Sequence, residues 1–245
     1  MNNFESRIDN EVRIWIDQMR KEPSKLNQAT KRLQTRLNSL LPDKIHKVIT
    51  TAIKQVTRTV LYGSEFTTPT ERTFSSYEDL EAFVLKRVNF YCKSAAAGGA
   101  VTGFGGFVWG IADFPIWLTL KMKLLFEIAS CYGHDIRDYR ERIYVLYIFQ
   151  LAFSSQQHRN KIFAKIEDWE KQRYLLPPDI HHFDWKTFQL EYRDHIDLAK
   201  IMQLLPGIGA VIGAIVNHRL TKRLGSTAMN AYRLRRQYSN YKVVN

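Results

Sequence analysis

The chain has 245 residues, 45 % hydrophobic and 24 % charged, which supplies a substantial core and excludes a wholly disordered polymer. The formal net charge of +12 favours anionic partners over cationic ones. Two cysteines, Cys92 and Cys131, lack metal-type spacing and read as buried free thiols of a reducing compartment.

The opening MNNFESRIDNEVRIWIDQ mixes acids with bases and holds no apolar run of signal-peptide type, so the expectation is a cytoplasmic protein. Phe4, Ile8, Val12, Trp15 and Ile16 recur at helical spacing, predicting an amphipathic helix over 1–20 that ends at Glu22-Pro23. A basic helix is expected over 24–40. After Pro42, the stripe Ile45, Val48, Ile49, Ala52, Ile53, Val56 and Val60 predicts another helix closed by Gly63. SEFTTPTERT at 64–73 reads as a loop, and Ser75-Ser76-Tyr77-Glu78 as a capping box opening the next helix.

That helix runs into SAAAGGAVTGFGGFVWGIADFPIWLTL at 94–120, which carries one charge, Asp113, and six of the twelve glycines. A shorter version, PGIGAVIGAIVNH, follows at 206–218, and GAVTG at 99–103 is echoed by GAVIG at 209–213. Gly99 and Gly103, Gly106 and Gly110, and Gly209 and Gly213 are four apart, the spacing that lets two helix backbones approach closely. Residues 94–112 match a membrane span in length, but the glycines weaken the helix, and Asp113 and Pro115 interrupt it. Two readings stay open: a close-packed helix pair inside a bundle, or an element inserted in or laid against a membrane. In either setting Asp113 needs an opposite charge, for which Arg219 and Lys121 are candidates.

Helix is predicted from 116 to 132, with Gly133 as the stop and His134 as a polar helix-end residue. Residues 140–153 are apolar nearly all round and read as a buried central helix. One amphipathic helix is expected over 155–174, a loop over 175–183, and a further helix from Asp184 through Leu205. Pro206 opens the second glycine-rich helix, Gly225 is expected to break it, and 226–238 reads as a last basic helix. No run alternates with period two, so the fold class is all-α: a single multi-helix bundle with the two glycine-rich helices packed at its centre.

From 198 to 245 there is no acid, while Lys200, Arg219, Lys222, Arg223, Arg233, Arg235, Arg236 and Lys242 are basic. Arg219, Lys222, Arg223, Arg233, Arg235 and Arg236 are therefore the candidates for contact with an anionic surface. Chemistry is harder to find. Gly207-Ile-Gly209 starts like a dinucleotide fingerprint, but its third glycine falls one place late and no strand precedes it. Asp179, His181, His182 and Asp184 form a weak metal-type cluster in a loop. Glu191 and His195 lie one helical turn apart without a matching second pair. No cofactor is expected.

LPDKIHKVITTAIKQV at 41–56, AAAGGAVTGFGGFVWGIADFP at 95–115, SCYGHD at 130–135 and LPGIGAVIGAIVNHRLTKRLGSTAMNAYRLR at 205–235 resemble the EcsC family. Asn217-His218-Arg219 and Ala228-Met229-Asn230-Ala231-Tyr232 carry the most specific part. The likeness covers about 41–236, the family core; the whole chain reads as one helical domain over 1–245, with an amphipathic arm at 1–40 and a tail at 237–245. The likeness implies a bacterial protein whose founding relative is encoded beside the subunits of an ABC transporter, with no catalytic residues to carry over. The expectation is a non-enzymatic protein held peripherally at the inner face of the cell membrane, its partner an anionic membrane surface or membrane transporter subunits. The alternatives are an enzyme with a buried site near Asp113 or the His181-His182 loop, and nucleic-acid binding through Arg219–Arg236 with Tyr232 and Tyr238 interleaved.

Overall fold

The computed structural model describes residues 3–22, 72–103, 114–154, 156–182 and 210–243, together with positions 51, 54, 55, 58 and 60. Seven α-helices and one 3-10 turn have described bounds, the described positions between 51 and 60 are helical as well, and the class is all-α. The helices are α1 (Asn3–Arg20), α2 (Tyr77–Gly103), α3 (Phe114–Cys131), α4 (Tyr139–Phe153), α5 (Gln156–Glu167), α6 (Trp169–Leu175) and α7 (Ala210–Val243). The 3-10 turn covers Ile180–His182. The helices expected at 24–40 and 184–205 lie outside the described residues, as do Asp113, Gly106, Gly110 and Gly209.

Local chemistry explains several boundaries. Ser76 caps α2: its Oγ accepts from the Asp79 backbone N–H at 3.1 Å and donates to the Asp79 carboxylate at 2.9 Å. The cap therefore sits one residue later than the box read from sequence. Gly133 takes φ +80° just after α3, where a side chain would be strained, and the His134 N–H bonds back to the Ala129 carbonyl at 3.0 Å. Asp138 caps α4 by accepting from the Arg140 N–H at 2.9 Å. The helix expected over 155–174 is instead two, α5 and α6, with Asp168 as the non-helical residue between them.

Helices α2 and α7 are the most extensively packed pair. They run antiparallel in a regular register. Glu81 meets Arg233, Val88 meets Gly225, and the Ala95 carbonyl meets Asn217. These points recur every two turns along α2, which keeps one stripe of the helix facing its partner. Gly225 is where the backbones come closest: a Cβ there would lie 2.6 Å from Val88 Cγ1. That corrects the expectation of a helix break. α7 continues through Gly225 because the missing side chain serves the contact with Val88. Of the GAVTG and GAVIG segments, Gly99, Gly103 and Gly213 are helical.

The core sits around α4, whose side chains from Ile143 to Leu146 are all fully buried, as the all-round apolar pattern predicts. Helix α1 closes one flank. Ile8, Val12 and Trp15 are buried, and Trp15 meets Phe163 edge-to-face at 5.3 Å. Arg20 pairs with Glu167 at 2.6 Å on the rim of that contact. The apolar face of α1 thus packs into the interior.

Candidate functional site

Helix α7 carries two inward-facing arginines. The Arg233 guanidinium donates to Glu81 at 2.7 Å, to Glu11 at 3.1 Å and to the Asn230 side chain at 3.0 Å. Tyr132 donates its hydroxyl to the same Glu81 at 2.7 Å. Burial and the carboxylate beside it raise the Tyr132 pKa well above the ordinary tyrosine value. Half a turn on, Arg235 donates to Glu141 at 2.6 Å and to Glu170 at 3.1 Å, and its guanidinium lies over the Tyr144 ring at 4.6 Å.

His134 belongs to this second centre. It stacks on Tyr232 with ring centroids 5.0 Å apart, and Tyr232 in turn stacks on Tyr132 at 5.6 Å. His134 Nδ1 is 3.7 Å from Glu141. Burial, with the Arg235 charge adding to it, lowers the His134 pKa to about 3, so the ring is neutral and this contact is no ion pair at neutral pH. His134 follows the end of α3, as its sequence context predicts, and its ring also joins the aromatic stack.

A third polar centre joins α2, α3 and α7. Lys121, 2 % exposed, donates to Thr221 at 2.6 Å and to the Asn217 side-chain oxygen at 3.2 Å. The Asn217 amide bonds the Ala95 carbonyl at 2.8 Å. Burial lowers the Lys121 pKa to about 7, a shift that the nearby Cys92 opposes. The buried thiols Cys92 and Cys131 are free, as their sequence context predicts.

The exposed cations of α7 lie toward its N-terminal half. Arg219, Lys222 and Arg223 are solvent-exposed. Arg219 was expected as a buried partner for Asp113; it is solvent-exposed instead, and Asp113 lies outside the described residues. Arg233 and Arg235 were candidates for an anionic surface, and they too are corrected: their guanidinium groups are buried against carboxylates. Arg236 is half-buried, 3.8 Å from Glu5 and lying over the Tyr77 ring at 3.5 Å. Tyr232 is fully buried and offers no stacking face to a nucleic acid. His181 and His182 are exposed on their 3-10 turn. The described residues contain no cluster of three or more His, Cys, Asp or Glu side chains placed for a metal ion.

A cleft of about 450 Å³ opens between α1, α2 and α7. Its lining includes Phe4 and Ile8 from α1, Ala82, Leu85 and Val88 from α2, and Met229 from α7. Glu11, Glu78, Glu81 and Arg233 line it towards one end; Asn89, Lys222 and Ser226 line it towards the other. No sequence pattern marked this cleft, because its walls come from three helices far apart in sequence.

An all-helical bundle threaded by buried cations, with no described helix long and apolar enough to cross a membrane, defines the class. The chain belongs to the EcsC protein family, whose model matches residues 6–236 and so takes in nearly all of α1 as well as the core from 41. It is 41 % identical over 222 residues to Protein EcsC of Bacillus subtilis (strain 168), covering 90 % of this chain and 91 % of that one. It is 27 % identical over 220 residues to Uncharacterized protein YdbA of the same organism, covering 82 % and 81 %. No solved structure matches significantly. The segments carrying the family likeness supply part of the interior polar network: Asn217 holds Lys121, Asn230 holds Arg233, and Tyr232 stacks in the core.

Proposed function

We propose that the protein is a non-enzymatic module that docks peripherally on an anionic membrane surface at the inner face of the cell membrane. The observation that carries this reading is the exposed cluster Arg219, Lys222 and Arg223 within about one turn of α7. These lie in a segment without acids from 198 to 245. Each cation near an anionic leaflet contributes about 1 kcal/mol, and three together suit reversible attachment. Ile215, 48 % exposed one turn before Arg219, adds an apolar contact at the same end.

Flotation with vesicles tests it. The protein should rise with phosphatidylglycerol-containing vesicles at low salt, stay behind with purely zwitterionic ones, and be released as ionic strength rises. Replacing Arg219, Lys222 and Arg223 by glutamate should abolish flotation. A protein that remains at the bottom with anionic vesicles at low salt overturns the reading.

A further inference from the structure

We propose that the cleft between α1, α2 and α7 takes one acyl chain of an anionic lipid, with the lipid head group held at its Lys222 end. The inference rests on the membrane-surface reading above and deepens it, naming what the surface would grip.

Shape comes first. The cleft follows α2 from Glu78 to Asn89, and α7 antiparallel to it from Arg233 to Lys222. At about 1.5 Å per residue each wall is roughly 16 Å long. With a volume of about 450 Å³ it is an elongated slot within the range of small-ligand sites.

Chemistry is graded along that slot. The middle is apolar, with Ile8, Ala82, Leu85, Val88 and Met229 on the three helices. Leu85 is 51 % exposed, a large aliphatic side chain left half in water that a hydrocarbon chain would cover. Towards the far end, Arg233 pairs with both Glu11 and Glu81, at 3.1 and 2.7 Å, and Arg7 and Glu78 also line the cleft. The near end offers the Lys222 ammonium with Asn89 and Ser226, and Arg219 and Arg223 flank Lys222 on the same exposed part of the helix. A carboxylate or phosphodiester meets positive charge there, whereas a cationic head is repelled. A small water-soluble anion could use Lys222 but would leave the apolar wall wet, so the graded lining selects an amphiphile.

Titration of the full-length protein with a polarity-sensitive fluorescent fatty acid reads this out. Saturable uptake of one probe per chain is expected, displaced by oleate and by lysophosphatidylglycerol but not by glycerol phosphate. Ala82→Trp fills the slot from an exposed position and should abolish uptake, while Lys222→Glu should weaken it about tenfold. Unchanged circular dichroism and melting confirm that both variants fold. No saturable uptake by the unaltered chain, or normal uptake by Ala82→Trp, overturns the proposal. Flotation separates it from the broader reading. A chain that floats without taking probe overturns the cleft and keeps the surface. Uptake without flotation supports the cleft and overturns the surface reading.

Discussion

Arg235 and Glu141 face each other at 2.6 Å, with both side chains 4 % exposed, although 94 residues separate them in sequence. Removing two charges from water is expensive, and close contact with good hydrogen-bond geometry offsets that cost only while both partners are present. Arg235 also bonds Glu170, and Arg173 approaches Glu141 at 3.5 Å, so the pair belongs to a small closed network.

Replacing one partner should therefore cost far more than replacing both. Arg235→Met leaves a buried carboxylate and should destabilise the protein by about 3–5 kcal/mol, and Glu141→Leu by a similar amount. The double variant should lose clearly less than the sum of the two. Urea denaturation of all four proteins gives the coupling, and effects that add within about 0.5 kcal/mol would show that the two residues act independently.

Gly225 offers a test in which two rules compete. Alanine in a helix interior is favoured over glycine by about 1 kcal/mol. Here, however, the new Cβ would meet Val88 Cγ1 at 2.6 Å and Cγ2 at 2.7 Å, closer than packed atoms allow. Overpacking costs about 1–3 kcal/mol, so Gly225→Ala should lower stability despite its better propensity. In a Val88→Ala background both Cγ contacts are gone and only the Cβ, at 3.2 Å, remains, so the penalty of Gly225→Ala should shrink. A melting-temperature comparison decides it. An increase on Gly225→Ala alone would mean that α2 and α7 can separate at no cost.

Two buried bases set the expected pH dependence of stability. Burial lowers the His134 pKa from 6.5 to about 3, so between those values the unfolded chain binds the extra proton and stability falls as the solution is acidified. Lys121 is lowered from 10.5 to about 7, so above pH 7 the unfolded chain still holds a proton that the folded chain has released. Stability should rise with pH through that window. The buried Cys92 thiol, pushed above its ordinary 9.0, acts the other way in more alkaline solution, so the rise is clearest between pH 7 and 9. Each group contributes at most about 1.4 kcal/mol per pH unit. Lys121→Met should flatten the alkaline limb and His134→Phe the acid limb in denaturation curves. A limb unchanged by its substitution would assign it to other groups.

Much of this architecture could be read without coordinates. The period of Ile8, Val12 and Trp15, the serine before α2, the all-apolar run of α4 and the stop at Gly133 act through neighbours a few residues away, and so they are visible in the chain itself. The all-α class and the free buried cysteines followed from the same local evidence. What the basic tail does could not be read that way. Arg219 and Arg235 are the same residue type in one acid-free segment, yet one faces solvent and the other is buried against Glu141. The partners of Arg233 and Lys121 lie 152 and 100 residues away, beyond any local pattern. Gly225 reads as a breaker from backbone entropy until Val88 is seen against it. Composition and periodicity dictated helices and an interior. Only the packing of α7 against α2, α4 and α6 decided which charges the interior neutralises and which face solvent, because a burial cost depends on what stands opposite the charge.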